Sequence, residues 1–422
     1  MNSTVDRKVR RKHWSQVVLP LSCLLLVGSL SGCGSLFQPD DKLPILEKMK
    51  QGNYNDVVSL CSKELKTHPS DPDYYAYKGV AENRLGNFDL ALADLRKAIE
   101  LEPKSGWYYR EVGETYLSAA KYRDAEEPFL KAKELLPKSD NSMPSLLSSL
   151  AIVYLRINEP QKSRDTATEA LELSPKQKYT LVTRALAYLD LFEMEKGLAD
   201  VNKALALDDK NPGAYATRSS IYLQVGELKK CKDDAEKALQ IDEKFWEATE
   251  LLISLNLING ASDAALALAD QLIRDRPESS IGYADKANCL FALGKFDDAR
   301  KLSDKSLTLV PSGGRALSNA ILLAGVAHDR TRVDNLTDQL KAIGSGERRA
   351  ERMRGMAYLF LKDYKGAADI FSSLIVDGRK TPNDYRLRSK AYELMHQNAL
   401  AEKDMERALA AGYSKLSVLE QE

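Results

Sequence analysis

The sequence predicts an all-α protein, a right-handed α-solenoid of about eleven helix-turn-helix units. Three observations carry that prediction. One pattern returns about every 34 residues, from near Gln38 to Lys415. Within each period small residues, large apolar residues and helix breakers keep fixed places. From Pro144 onward the spacing is unbroken, which sets chance agreement aside.

The elements follow from the chemistry of those places. The stretch Pro72 to Ser105 carries Tyr75, Gly79, Gly86-Asn87-Phe88, Ala91, Leu95, Ala98, Leu101 and Pro103. The following period carries Tyr109, Gly113, Tyr116, Ala119-Ala120-Lys121-Tyr122, Ala125, Phe129, Ala132 and Pro137. Gly79, Ala91 and Ala98 let the helices of one unit, and the unit after it, approach closely. Tyr75, Leu95 and Leu101 fill the remaining space at the three-to-four spacing of a helix face. Gly86-Asn87 breaks the first helix because glycine tolerates the backbone angles of a tight turn. Pro103 stops the second, lacking an amide hydrogen and clashing with the preceding turn.

Three units are expected to begin at Gln38, Pro72 and Gly106. After a four-residue insertion, Asp140 to Met143, eight more begin at Pro144, Lys178, Pro212, Trp246, Ser280, Gly314, Arg348 and Pro382. Those at Pro72, Gly106, Pro212 and Ser280 match the pattern strongly; those at Gln38 and Gly314 are degenerate. Pro128 falls inside the second helix of the third unit, next to the insertion. The two irregularities mark either a bend at 128–143 or a local kink that a continuous solenoid tolerates. In spacing and in residue type the chain resembles the tetratricopeptide repeat family over about nine-tenths of its length.

The segment Met1 to Cys33 obeys different rules. Arg7, Lys8, Arg10, Arg11 and Lys12 precede an apolar stretch, Val17 to Leu30, too short to span a bilayer comfortably. A basic head, a short apolar core and small residues before a cut make residues 1–32 a secretory signal peptide. Leu30-Ser31-Gly32-Cys33 resembles the lipobox of bacterial lipoproteins. That resemblance implies cleavage before Cys33, diacylation of its thiol, and residues 33–37 as a lipidated start with a short tether. Each buried methylene contributes roughly 0.8 kcal/mol, so two or three acyl chains would hold the protein on a membrane. An ordinary signal peptide or an uncleaved anchor is the competing reading. Arg10-Arg11 hints at twin-arginine export, but Lys12-His13-Trp14 fits that motif poorly and favours the general secretory route. Gly34 after the cysteine implies, through the same family, passage to the outer membrane, facing the periplasm.

The whole chain is formally neutral, with 61 basic and 61 acidic residues. Residues 1–32 hold five of the basic and one of the acidic side chains, so the remainder carries a net charge near −4. That balance argues against nucleic acid as a general partner. Cys61, Cys231 and Cys289 occupy packing positions of units that are not neighbours, which predicts buried thiols and no disulfide. His13, His68, His328 and His396 show no metal-ligand spacing, and neither HExxH nor G-x-S-x-G occurs. The repeats fill 38–415, with 416–422 as a tail, so the sequence predicts no enzyme and no cofactor. Acidic pairs such as Asp233-Asp234 and Asp297-Asp298 read as solvation and helix-dipole complement.

The family resemblance implies that the first helix of each unit lines an inner wall, chiefly through its second, fifth, ninth and twelfth positions. In units three to five these are Trp107, Arg110, Ile152, Leu155, Tyr179, Val182, Leu186 and Leu189, a mainly apolar stripe suited to a protein segment. In units nine to eleven they include Arg315, Arg349, Arg352, Arg386 and Lys390, beside Glu393. Family members that grip a terminal carboxylate use five clamp positions. Asn288, Asn319 and Arg349 fall on three of them, while Ala284 and Met353 occupy the other two and cannot serve. A looser preference for acidic segments, through arginines as bidentate donors, is the alternative; a merely solvated wall is the plainest. Together the anchor and the repeats predict a membrane-held adaptor or scaffold for envelope proteins or their peptide segments during cell-envelope assembly. Two alternatives are an accessory factor that binds cell-wall glycan or an envelope hydrolase, with Trp107 and Tyr179 stacking on sugars, and a structural lipoprotein that self-associates through its C-terminal unit.

Overall fold

A computed structural model describes residues 42–342, 347–376 and 382–410. The expected signal peptide (1–32), Cys33 with the 33–37 tether, and the 416–422 tail lie outside the described residues. Twenty-two α-helices and no strand occupy the described residues. They fall into two compact units that divide at Leu191–Phe192.

The first unit holds α1 (Leu43–Lys50), α2 (Tyr54–Thr67), α3 (Pro72–Arg84), α4 (Phe88–Leu101), α5 (Gly106–Ser118), α6 (Tyr122–Leu135), α7 (Met143–Arg156), α8 (Pro160–Leu173) and α9 (Lys178–Asp190). In the second are α10 (Met194–Leu207), α11 (Pro212–Gln224), α12 (Leu228–Ile241), α13 (Trp246–Ile258), α14 (Ser262–Asp275), α15 (Ser280–Ala292) and α16 (Phe296–Leu309). It continues through α17 (Gly314–Val326), α18 (Arg330–Ala342), α19 (Glu347–Phe360), α20 (Tyr364–Val376), α21 (Pro382–Leu394) and α22 (Asn398–Ala410). Apart from α1, every first helix starts within one residue of the place the repeat interval assigns it.

Local chemistry explains the starts and the turns. Asp71 and Asn211 cap α3 and α11 by accepting the backbone N–H of Asp73 and Ala214 at 3.0 and 3.1 Å, and a proline follows each at the first helical position, where no amide hydrogen is missed. The turn inside each repeat closes on one left-handed residue at the same repeat position. Glycine fills it at Gly52, Gly86, Gly226, Gly260 and Gly294, and Ala120, Asn158, Phe192, His328, Lys362 and His396 fill it elsewhere. The next amide then reaches back past a full turn, as Asn87 N–H to Glu82 O at 2.9 Å and Lys121 N–H to Tyr116 O at 2.9 Å, the Schellman arrangement. Ala120 adopts φ 55°, a region that disfavours a Cβ. Ala120→Gly should therefore raise stability by about 0.5–1 kcal/mol in urea unfolding. A loss would show that the turn is not under that strain.

Packing follows the small-residue ladder. Ala91, Leu95, Ala98, Ala125, Phe129 and Ala132 are fully buried, and so are the thiols of Cys61, Cys231 and Cys289, all free. A Cβ on Gly113 would lie 2.7 Å from the Phe129 ring, so only glycine leaves room for that ring. Pro128 sits inside α6, which runs uninterrupted. One apolar cluster joins Leu117, Phe129, Met143, Leu146 and Leu150, so the core of the first unit continues across the insertion.

A second ladder is ionic. Seven residues into the hairpin and sixteen residues further on, a cation and a carboxylate meet: Lys78 with Asp94 at 3.1 Å, Arg218 with Asp234 at 2.7 Å, Arg388 with Asp404 at 2.6 Å. Asp234, expected on a solvated face, is thus buried and held by both arms of Arg218. The expectation fails because alternate turns of the second helix face the first, and a carboxylate there needs a partner more than it needs water. Asp297 and Asp298 do stand exposed in the first turn of α16.

Candidate functional site

Within each unit the first helices of successive repeats touch one another: α3 meets α5, α5 meets α7, α15 meets α17, and α17 meets α19. Second helices make no comparable contact among the described residues. The first helices therefore line the crowded, inner side of each unit.

On the inner side of the first unit, Trp107 is half-buried and its ring lies 5.3 Å from Tyr77 and 5.2 Å from Tyr108. Its indole N–H donates to Glu111 at 3.1 Å, and Arg110 donates to the same carboxylate oxygen at 3.0 Å. Tyr179 is half-buried under the Lys178 ammonium, 5.1 Å from its ring centre. Leu186, Leu189, Ile152 and Leu155 are half-buried, and Val182 is buried. The apolar stripe thus exists as a series of partly covered side chains.

Sequence reasoning missed Glu114 in this wall. Glu114 is buried and accepts from the Ser149 hydroxyl at 2.6 Å. Burial pushes its carboxyl up to about 7, while that hydrogen bond and Arg110 and Arg84 pull the other way. A raised folded pKa means that the folded state holds the proton more tightly than the unfolded chain. The stability from Glu114 is therefore fully present below about pH 4.5 and is lost as pH rises towards 7. Glu114→Gln should leave stability unchanged at pH 4 and raise it by on the order of 1–3 kcal/mol at pH 8. Urea titrations at the two pH values measure this; an equal effect at both would refute it.

The second unit brings the predicted basic residues together, but most of them are spent on structure. Arg315 on α17 donates to Glu250 on α13 and Asp285 on α15. Burial alone would lower its pKa, yet the two carboxylates more than reverse that and raise it. Burial holds both carboxyls above their usual range. Asp384 on α21 is fully buried and receives Arg348 at 2.6 Å and both arms of Arg352, at 2.6 and 3.2 Å. Arg386, expected to present itself on the wall, is instead buried. Beside it Leu387 is buried as well, so this stretch of α21 is packed against its neighbours. Asn319 is buried too and donates to the Ala284 carbonyl at 2.8 Å, so this clamp position stitches α17 to α15. Ala284 is buried and Met353 packs on the core. Asn288 is half-buried, and the exposed Lys390 pairs with Glu393 at 3.1 Å.

Arg349 differs from all of these. It is exposed and makes no hydrogen bond or ion pair among the described residues. Protein crowding lowers its pKa first, and the positive charges of Arg315 and Arg352 lower it further. The acids that absorb the neighbouring arginines carried a signal in the sequence: Asp285, Glu250 and Asp384 also stand on first helices, at places that face the next or previous repeat.

A stack of helical hairpins with first helices inside defines a repeat protein of the solenoid class. Tetratricopeptide repeat family models match residues 46–106 and 257–313, and another matches 212–245. Over those residues the chain carries tetratricopeptide repeats, a repeat type that mediates protein–protein interaction and scaffolding and binds peptides or proteins. Among relatives, it is 26% identical over 118 residues to small glutamine-rich tetratricopeptide repeat-containing protein 2 of Mycosarcoma maydis, covering 26% of this chain and 34% of that one. It is 36% identical over 91 residues to the human protein O-mannosyl-transferase TMTC3, covering 21% of this chain and 10% of that one. It is 27% identical over 127 residues to Hsp70-Hsp90 organizing protein 2 of Arabidopsis thaliana, covering 30% and 22%. The chain thus spans about a third or less of the length of these relatives. A solved tetratricopeptide repeat protein from Parabacteroides merdae superposes with a TM-score of 0.47 at 21% identity, covering 60% of this chain and 98% of that one.

Proposed function

We propose that this protein is an adaptor or scaffold held at the bacterial cell envelope by lipid on Cys33, and that it gathers partner proteins along its inner walls during envelope assembly. The observation that supports this most is the inner side of the second unit, where an exposed arginine is left over after stacking has used its neighbours. A groove wall that served packing alone would have no use for that charge. The name of the Arabidopsis relative, an Hsp70-Hsp90 organizing protein, is in line with an adaptor role. The glycan alternative has less support, because the Trp107 ring already packs between two tyrosines and Tyr179 carries a lysine over its ring.

Two measurements test the reading. Cys33→Ser should move the protein from the membrane fraction to the soluble fraction of the native cell; retention on membranes would end the lipid-anchor part. The purified protein, immobilised and exposed to detergent-solubilised envelope, should capture a defined envelope protein reproducibly. No specific capture would end the adaptor part.

A further inference from the structure

We infer that the cleft between α4 and α6 is a second docking surface, on the side of the first unit where the second helices stand, and that it takes a protein segment carrying a cationic side chain between apolar ones. This goes beyond the adaptor reading, which concerns the inner walls alone.

The cleft has a volume of about 580 Å³. Tyr109, Val112 and Tyr116 of α5 make its floor, and Ile99 of α4 and Leu130 of α6 stand on its two sides. The inner wall draws on other positions of α5, those of Trp107 and Arg110. Leu130 is 43% exposed and both tyrosines are only half-buried, so stacking leaves this apolar surface uncovered. From Tyr109 to Tyr116 the floor runs roughly 10 Å along α5, the reach of about three residues of extended chain.

A cleft at the matching place in the second unit shows the closed form. There α16 and α18 flank α17, Arg332 donates to Asp304 at 3.0 Å across the gap, and the space is about 160 Å³. Arg96 and Asp124 hold the same two repeat positions in the α4–α6 cleft, with the signs exchanged. They do not meet. Arg96 donates instead to the Tyr116 hydroxyl at 3.0 Å, and Asp124 has no ion pair among the described residues. The cleft stays open although its own side chains include the pair that would bridge it.

Charge selects the occupant. Asp124 and Glu127 are exposed, line the α6 side and pair with no cation among the described residues, whereas Lys131 is taken by Glu134 at 2.8 Å. Pro128 lines the cleft beside them and has no amide hydrogen to give the Asp124 carbonyl. That side therefore presents acceptors without donors to match them. An arginine or lysine of a partner supplies the donors, and a tyrosine face beneath it adds cation–π attraction. Apolar neighbours in the same segment cover Leu130 and Ile99.

The test uses the full chain and four labelled ten-residue peptides, acetylated and amidated, read by fluorescence anisotropy at low salt. Each sets one core in a Gly-Ser chain: Leu-Arg-Leu, Leu-Gln-Leu, Leu-Glu-Leu or Ala-Arg-Ala. The Leu-Arg-Leu peptide should bind about tenfold or more tightly than the other three. Asp124→Asn with Glu127→Gln should erase its advantage over Leu-Gln-Leu, and Leu130→Ser its advantage over Ala-Arg-Ala. All three positions are exposed, so the thermal midpoint should hold. Asp297→Asn with Asp298→Asn removes two exposed carboxylates of α16 and should leave binding unchanged. The inference is overturned if the parent shows no preference for Leu-Arg-Leu, or if the cleft variants bind it as the parent does. Equal loss in the α16 variant also overturns it, because the peptide would then read net charge and not the cleft. So does a dimer in sedimentation that Leu130→Ser dissociates, because a second copy would then fill the cleft.

Discussion

Asp384→Ala should cost about 3–5 kcal/mol and should melt the last repeats before the rest of the chain. Asp384 is fully buried and is the shared anion of Arg348 and Arg352, with oxygen-to-nitrogen distances of 2.6, 2.6 and 3.2 Å. Arg348 also donates to the Leu374 carbonyl at 2.7 Å, so one cluster ties α19, α20 and α21 together. Removing the carboxylate leaves two guanidinium groups in a partly dry setting without their counter-charge, and that penalty exceeds what the pair contributes when intact. Asp384→Asn keeps the volume and one acceptor, so its cost should be smaller. The triple change Arg348→Met, Arg352→Met and Asp384→Leu removes charge and partner together and should restore much of the loss. Because a repeat array is close to one-dimensional, the damage should stay local. Hydrogen exchange should show lost protection in α19–α22 and unchanged protection in α1–α6. Uniform loss along the chain would refute the local account, and no loss at all would refute the role of Asp384.

The cluster also shows where sequence reading stops. The hairpins were legible because a small residue at a fixed interval has one physical meaning: two backbones must approach, as at Gly113 against Phe129. The helix starts at Pro72, Gly106, Pro212 and Ser280 were legible for the same reason. Charge carries no such fixed meaning. Arg315, Arg349 and Arg352 look alike in the sequence, and only their neighbours separate them. Arg315 meets acids on the two preceding first helices, Arg352 meets Asp384 on the following one, and Arg349 meets none among the described residues. Those partners lie 30 to 65 residues away from the arginine they serve, beyond the reach of any single-helix spacing. Asn319 teaches the same lesson, since an asparagine at a clamp position can as well bond a neighbouring backbone carbonyl, and here it does. The left-handed turn residues were half legible: Gly86 announced its turn, whereas Ala120 and Lys362 adopt the same conformation because the Schellman bond and the packing of both helices impose it.

Phe129→Ala should cost about 3–5 kcal/mol and should weaken the joint between the third and fourth repeats more than any exposed substitution there. Phe129 is fully buried and shares a cluster with Leu117, Met143, Leu146 and Leu150, on α5 and α7. It stands beside Pro128, where the helix lacks one amide donor, in the helix that precedes the four-residue insertion. The joint depends on this ring because the bonds of the insertion, Asp140 N–H to Pro137 O at 2.9 Å and Met143 N–H to Asp140 O at 3.0 Å, are local to the loop and do not tie α6 to α7. Truncation to alanine opens a cavity that α5 and α7 can close only by shifting towards each other. Gly113 gives the complementary test. A Cβ there would sit 2.7 Å from the ring, so Gly113→Ala should cost about 1–3 kcal/mol in the parent protein. In a Phe129→Leu background the same change meets a smaller side chain and should cost less, giving a double-mutant coupling of about 0.5–3 kcal/mol. Urea unfolding of the four proteins measures it. Additive effects would mean that glycine is required at position 113 for a backbone reason and that the ring is not what fills its place.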